Sequence, residues 1–209
     1  FSKDLGTLHY ATYIGSPGTD ADGVTSIQAL SDSSFICGMT AAVAFMGTPT
    51  YVPSGMAQST FGGAGDMWIG KFFSNDTASI HTLAWGTYVG GAQGETFNDL
   101  EVFSDGRVAF CGRGFSTLTE VNSAAARSTV TTNLDGILGV LNSTGTAFNY
   151  LDEIGGANND QFHDVEAYGS SLYWTGQVSS GFPTSTGAYD VTHNGGTFDV
   201  VVGTVGATG

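Results

Sequence analysis

The sequence has 209 residues and a formal net charge of −14, because it holds 19 acidic and only five basic side chains. Such a surface repels phosphate backbones and anionic lipid headgroups, so we expect no nucleic-acid partner. No apolar run approaches the roughly 18 residues of a transmembrane helix, and we expect no membrane insertion. The 32 glycines and a charged fraction of only 11% favour short strands and tight turns. We therefore predict an all-β fold.

Three motifs recur three times in the same order, with periods of roughly 64 to 75 residues. The copies are Asp66–Phe72, Asp135–Leu141 and Asp199–Val205; Ala11–Gly15, Gly86–Gly90 and Leu151–Gly155; and Phe35–Gly38, Ala109–Gly112 and Tyr173–Gly176. A repeat of this length is typical of arrays and propellers, whose units bury their faces against neighbours. It divides the chain into unit 1 (1–81, with 1–7 as the tail of a preceding unit), unit 2 (82–147) and unit 3 (148–209).

Alternating apolar residues and turn formers predict four short strands and a hairpin turn in the first unit. The strands are Leu8–Ile14, Val24–Leu30, Ser34–Met39 and Asp66–Phe72, with the turn at 31–34. Such a meander predicts three four-stranded antiparallel blades of a β-propeller-like repeat array. A variable loop precedes each fourth strand, at 40–65, 113–134 and 177–198, and the runs 54–59 and 121–127 are candidates for short helices.

Cys37 and Cys111 occupy equivalent positions in the first two units, where the third unit has Thr175. Equivalent strands of neighbouring blades are usually too far apart for the Cα separation that a disulfide requires. The sequence therefore predicts two small buried thiols, and it contains neither a disulfide framework nor a Cys-x-x-Cys metal spacing.

The order of these motifs resembles the bacterial and archaeal β-propeller repeat known as SBBP. Its typical run is Tyr-Ser-Thr-Tyr-Leu-Gly-Gly, then Val-Tyr-Val-Thr-Gly, Phe-Pro-Thr and Asp-Ala-Phe-Val-Ala-Lys-Leu. The matching segments here are Tyr10–Gly15, Tyr173–Gly176, Phe182–Thr184 and Asp66–Phe72, and the third unit departs from the run at Leu151–Ile154. The resemblance covers nearly the whole chain. It implies repeat architecture in a secreted or cell-surface protein, and it implies no particular reaction.

Three units are fewer than the four that propellers typically need to close. Residues 1–6 resemble the segments that follow the Asp-x-x-x-Gly strands, so both ends fall at the same phase of the unit. An open array has exposed strand edges, which invite pairing with other chains. We therefore expect either further repeats of a longer chain or a homo-oligomer such as a filament or ring, with a closed three-blade monomer as the remaining alternative.

Acidic residues follow the first predicted strand of each unit. Asp20, Glu95 and Asp160 each lie five residues beyond a repeated glycine, and Asp99 and Asp164 follow four residues later. Loop carboxylates are typical calcium ligands, and the run 20–23, which includes Asp22, resembles a short calcium loop. These six acids are therefore candidate calcium ligands. The alternative is that they bind backbone N–H groups and close turns.

Other candidates are weaker. Asn75 and Asn142 begin N-x-Ser/Thr sequons, which are candidate glycosylation sites in one inter-blade loop of units one and two. His163 lies beside two of the acids, yet a polar loop role is the simpler interpretation. Trp68, Trp85 and Trp174 lie in predicted strands and are interpreted as core residues. The sequence has no nucleophile elbow or phosphate-binding loop, although spacing alone excludes no carboxylate pair.

These observations predict a non-enzymatic, extracellular or cell-surface structural or adhesive protein. It would act through repeat surfaces and strand-edge association, without a cofactor unless calcium binds. The alternative is a calcium-dependent carbohydrate-binding propeller module whose partner is a surface glycan. A propeller hydrolase or lyase is the third possibility.

Overall fold

A computed structural model describes residues 10–15, 22–31, 33–45, 51–75, 80–115, 118 and 133–207. Within this part of the chain all regular structure is β-strand and there is no helix, which confirms the all-β prediction. The strands are Gly23–Ala29 (β1), Ser34–Ala41 (β2), Asp66–Asn75 (β3), Ile80–Val89 (β4), Glu95–Val102 (β5), Val108–Gly114 (β6), Asp135–Leu141 (β7), Phe148–Ile154 (β8), Gln161–Tyr168 (β9), Ser171–Val178 (β10) and Asp199–Gly206 (β11).

The strands form three antiparallel sheets in sequence order. The first sheet is β1-β2-β3-β4, the second is β5-β6-β7-β8, and the third is β9-β10-β11. Four strands per sheet are thus found in the first two sheets, whereas the third has three strands among the residues described.

The sheets are offset from the sequence repeat by one strand. The motifs ending at Gly90 and Gly155 were predicted to open the second and third units. They belong to β4 and β8, which pair with β3 and β7 as the last strands of the first and second sheets. The prediction of a strand at Leu8–Ile14 is wrong for its described part, because Tyr10–Gly15 is not in a strand. This segment corresponds to β4 and β8, but no described strand pairs with it.

Successive sheets pack face to face through the first strand of the later sheet. β5 packs against β1, β2 and β3, and β9 packs against β5, β6 and β7. We call the side of a sheet that points to the next sheet its C-face, and the opposite side its N-face. The C-face of the first sheet buries Met67 and Ile69 against Phe97 of the second sheet. The C-face of the second sheet likewise buries Leu138 against Phe162 of the third.

Each first strand contains a β-bulge at an equivalent position. The pairing skips one residue in each strand, namely Thr25 in β1, Asn98 in β5 and His163 in β9. A bulge bends its strand and re-aims the neighbouring side chains. Phe97 and Phe162 directly precede the bulge in their strands, and both rings are fully buried against the preceding sheet.

The two cysteines are buried and free, as predicted, but they are not equivalent. Cys37 lies opposite Gly70, whereas in the second sheet the residue opposite the corresponding Gly139 is Phe110. Cys111 is therefore one residue out of step. A one-residue slip turns a side chain to the other face of the sheet. Cys37 accordingly packs on the N-face of the first sheet and Cys111 on the C-face of the second, so both of these sheets lie between the two thiols.

The long loop of the first unit is irregular where it is described. Residues 54–57 form a turn and a bend and residues 58–59 are irregular, so the short helix predicted at 54–59 is absent. The other candidate, 121–127, lies outside the described residues.

Candidate functional site

Buried carboxylates meet a glycine at each connection between sheets. Gly90 lies between Asp66, the first residue of β3, and Glu95, the first residue of β5. Gly155 lies in the same way between Asp135 and Asp160. All four acids are fully or almost fully buried. We call each arrangement an acid–glycine junction.

Backbone N–H groups bind these carboxylates. The Gly91 N–H donates to Glu95 Oε2 at 2.8 Å, and the Gly156 N–H donates to Asp160 Oδ2 at 2.6 Å. Asp66 Oδ2 accepts from the Gly62 N–H at 2.9 Å. Bonds of this kind close tight loops and satisfy buried donors.

In the first sheet the corresponding acid is Asp22. Its Oδ1 accepts from the Ala42 N–H at 3.0 Å, directly after β2. Asp160 Oδ1 accepts at 2.8 Å from the Ser179 N–H, directly after β10. Counting five residues from Gly15 selects Asp20, which lies outside the described residues. The loop before β1 is longer than its two counterparts, and counting along the sequence therefore missed the equivalence of Asp22.

The remaining candidate calcium ligands lie on first strands. Asp99 Oδ2 accepts from the Val165 N–H of the next sheet at 3.3 Å, and Asp164 lies opposite Thr175. In the described part of the chain, no three His, Cys, Asp or Glu side chains converge as a metal site would require. The predicted ligands thus lie at separate connections, and calcium binding stays a prediction.

Burial raises the pKa of two of the junction acids. Desolvation raises the pKa of Asp66 from 3.8 to about 6, against the opposing effect of the Gly62 and Gly63 N–H groups. Burial also raises the pKa of Asp160, although hydrogen bonds from Gly156 and Ser179 oppose the shift. The charged form of a buried acid is poorly solvated, so these carboxyls take up protons more readily than exposed ones do.

Gln58 fastens the irregular loop 51–65 onto β4. Its backbone N–H donates to Thr87 Oγ1 at 2.9 Å, and its carbonyl accepts from the Tyr88 N–H at 3.0 Å. Its side-chain Oε1 accepts from the Gly90 N–H at 3.0 Å, while Nε2 donates to Asp66 Oδ2 at 3.2 Å. The loop thereby covers the outer edge of the first sheet. Sequence reasoning missed this role, because one Gln in an irregular loop carries no periodic signal.

The third sheet exposes apolar side chains that its counterparts bury. Val200 is 77% exposed, Val202 is 79% exposed and Tyr173 is 46% exposed. The matching residues of the first sheet are buried beneath the second sheet: Met67, Ile69 and Ile36. The C-face of the third sheet is therefore an uncovered copy of a surface that is covered elsewhere in the same molecule.

The two predicted glycosylation sites each lie within a sheet, at or directly after the end of its third strand, and not between blades as expected. Asn75 ends β3, and Asn142 follows β7 in the turn before β8. Asn142 Nδ2 donates to Thr146 Oγ1 at 2.9 Å, so its amide takes part in that turn.

The aromatic and histidine candidates occupy ordinary positions. Trp68 and Trp85 are buried, and Trp174 packs against Phe162 with tilted rings in the core between the second and third sheets, as predicted. His163 is the exposed bulge residue of β9.

Comparison with protein-family models and with curated proteins gave no match to this chain. The resemblance to SBBP repeats therefore remains a prediction. Within the part that the structure describes, no helix is long and apolar enough to cross a membrane.

Proposed function

We propose that this is a non-enzymatic structural or adhesive protein of the cell surface or extracellular space. Its three sheets act as blades of a propeller-like array, and it works through repeated surfaces that associate with further copies. The resemblance to SBBP repeats supports the location and the propeller arrangement. The face-to-face packing of β5 and β9 on the preceding sheets is also what neighbouring blades require.

The uncovered C-face of the third sheet carries this proposal. Val200 and Val202 extend into solvent at positions where Met67 and Ile69 are fully buried. Contiguous exposed apolar groups typically mark an interaction surface. Burial of one Val side chain contributes about 1.5–3 kcal/mol, so covering this face favours association.

Within the part of the chain that the structure describes, no strand pairs with the outer edge of the same sheet. β4 is covered by the loop that Gln58 fastens, and residues 85–89 are all buried. β11 instead pairs with β10 alone among the described strands. An exposed edge strand offers unpaired N–H and C=O groups to another chain. Face and edge therefore present one continuous surface for association.

The buried acids have a different role. Glu95 and Asp160 accept hydrogen bonds from backbone N–H groups in short loops, and these bonds stabilise the connections between sheets. In the proposed function these residues position the sheets, and the exposed surfaces make the contacts with partners.

Light scattering over a dilution series tests the proposal. The average mass of the wild-type chain should rise with concentration, and Val202→Lys should shift the onset to at least tenfold higher concentration by placing a charge on the open face. Ser104→Lys adds the same charge on the exposed turn between β5 and β6 and should behave like the wild type. A wild-type chain that stays monomeric throughout would contradict the proposal.

A further inference from the structure

We infer that the third sheet of one copy binds the segment Tyr10–Gly15 and strand β1 of a second copy, so that copies join head to tail. The contact repeats the internal junction in which β4 completes one sheet and β5 begins the next. This inference rests on the proposed self-association and names the two surfaces that meet.

The first strand of the first sheet exposes the matching apolar group. Leu100 lies three residues after Phe97 in β5, and Val165 lies three residues after Phe162 in β9. Both side chains are buried against the preceding sheet. Ile27 has this position in β1 and is 66% exposed. Among the described residues, none covers Ile27 on the N-face side of β1, and the C-face of the third sheet offers a surface of the kind that covers its counterparts.

Each of the two docking surfaces carries one half of an acid–glycine junction. The first sheet supplies the glycine and one acid, and the third sheet supplies the other acid. A side chain at Gly15 would begin 3.1 Å from Asp22 Oδ2, so Gly15 lies against Asp22 much as Gly90 lies against Glu95. The second acid of a junction is the first residue of the third strand, and in the third sheet that residue is Asp199. Its Oδ2 accepts from the Asn194 N–H at 2.6 Å, as Asp66 accepts from the loop before β3. Docking brings Asp199 of one copy to Gly15 of the next.

The segment Tyr10–Gly15 has the sequence of a fourth strand and is only partly packed. Tyr13 is 97% exposed, whereas the corresponding Tyr88 of β4 is 3% exposed. Ile14 already packs on the N-face cluster of the first sheet. The inner side of the segment is therefore in place. Among the described residues no strand pairs with it, although the Tyr51 hydroxyl donates to the Tyr13 carbonyl at 3.3 Å.

The internal sheets fix the register of the expected pairing. Thr87 lies opposite Ile69 in the first sheet, and Asp152 lies opposite Leu138 in the second. The equivalent pair across two copies is Thr12 and Val202.

A single docked arrangement pairs β11 with Tyr10–Gly15, covers the C-face of the third sheet with β1 and brings Asp199 to Gly15. This is possible because Tyr10–Gly15 leads into β1 as β4 leads into β5. The two surfaces lie at opposite ends of the array and differ from each other. Such a heterologous contact produces a ring if the rotation closes and a filament if it does not.

Disulfide cross-linking between copies tests the register. Thr12→Cys and Val202→Cys are prepared as separate variants of the full chain, mixed and mildly oxidised. Directly opposite residues of an antiparallel pair have Cα atoms about 4.5–5.5 Å apart, within the range of a disulfide. The native Cys37 and Cys111 are buried, and the oxidised wild type measures their background. We expect covalent dimers in the mixture at five times or more the yield of either variant alone.

Thr12→Cys mixed with Val201→Cys is the matched control, because Val201 is adjacent in β11 but points to the other face. It should give at least fivefold less dimer. Equal yields from both mixtures would overturn the proposed register. The double variant Thr12→Cys/Val202→Cys cross-linked only within single chains would overturn the role of a second copy. If the wild type associates in light scattering and the matched pair does not cross-link, this inference fails alone; if the wild type does not associate, the proposed function fails with it.

Discussion

The Cα atom of Gly90 lies directly against the carboxylate of Asp66, so that no side chain fits between them. The same glycine also adjoins Glu95, because a Cβ there would lie 2.7 Å from Oε2 of that residue. A repeated glycine therefore marks the point at which one sheet ends, the next begins and two buried acids meet the backbone.

Gly90→Ala should destabilise the fold by about 1–3 kcal/mol, because the new methyl group overlaps buried carboxylates that cannot move without losing hydrogen bonds. Chemical denaturation measures the change. Gly94→Ala is the matched control, since a Cβ there has nothing within 4 Å, and it should change stability by less than about 0.5 kcal/mol. Equal effects of the two substitutions would contradict the junction.

Gln58→Ala should release the loop that covers β4. The substitution leaves the Gly90 N–H without its acceptor and removes a donor to Asp66. Loss of buried partners of this kind costs about 1–3 kcal/mol each. Limited proteolysis within 51–65 should accelerate, and the free energy of unfolding should fall by about 2 kcal/mol. Gln93→Ala, at an exposed position, is the control, and similar proteolysis of both variants would count against the loop attachment.

Asp66 should make the fold more stable in mild acid. Its pKa is raised to about 6 in the folded protein, above the ordinary 3.8, so the folded state binds the proton more tightly than the unfolded state. Stability from this group therefore increases as pH falls from about 7 towards 4. Asp66→Asn cannot titrate, and the wild-type gain relative to this variant should be at most about 3 kcal/mol. Denaturation curves at several pH values measure the difference, and parallel pH dependences for the two proteins would show that Asp66 titrates normally.

Both thiols should be inert in the folded protein. Burial raises the pKa of Cys37 to about 12 and that of Cys111 further still, so almost no thiolate forms near neutral pH. A thiol reagent at pH 8 should label neither residue until denaturant is added, after which both should react within minutes. Rapid labelling of either cysteine in the native protein would mean that its sheet opens.

The repeat allowed much of the fold to be predicted, because the Asp-x-x-x-Gly motif and the hairpin turns are local signals. The strand predicted at Asp66–Phe72 begins where β3 begins. These local signals did not predict which strand of the repeat begins each sheet. β4 carries the same motif whether it closes one sheet or opens the next, and only its pairing with β3 decides between them.

The prediction that the two cysteines occupy equivalent positions was wrong for a related reason. The sequence motifs around Cys37 and Cys111 align by their glycines, but the cross-strand pairing of β2 is shifted by one residue relative to that of β6. Register depends on the whole sheet and on the side chains that must be buried. The Gln58 attachment likewise joins residues far apart in sequence, and no local pattern announces it.

Hydrogen exchange at two protein concentrations tests the central claim most directly. If a second copy pairs with β11, exchange at those N–H groups of Val200–Thr204 that point away from β10 should slow by at least tenfold between dilute and concentrated samples, and exchange in Tyr10–Gly15 should slow with it. The N–H groups of β10, already paired on both sides, should exchange at the same rate in both samples. Exchange in β11 that does not change with concentration would contradict the account.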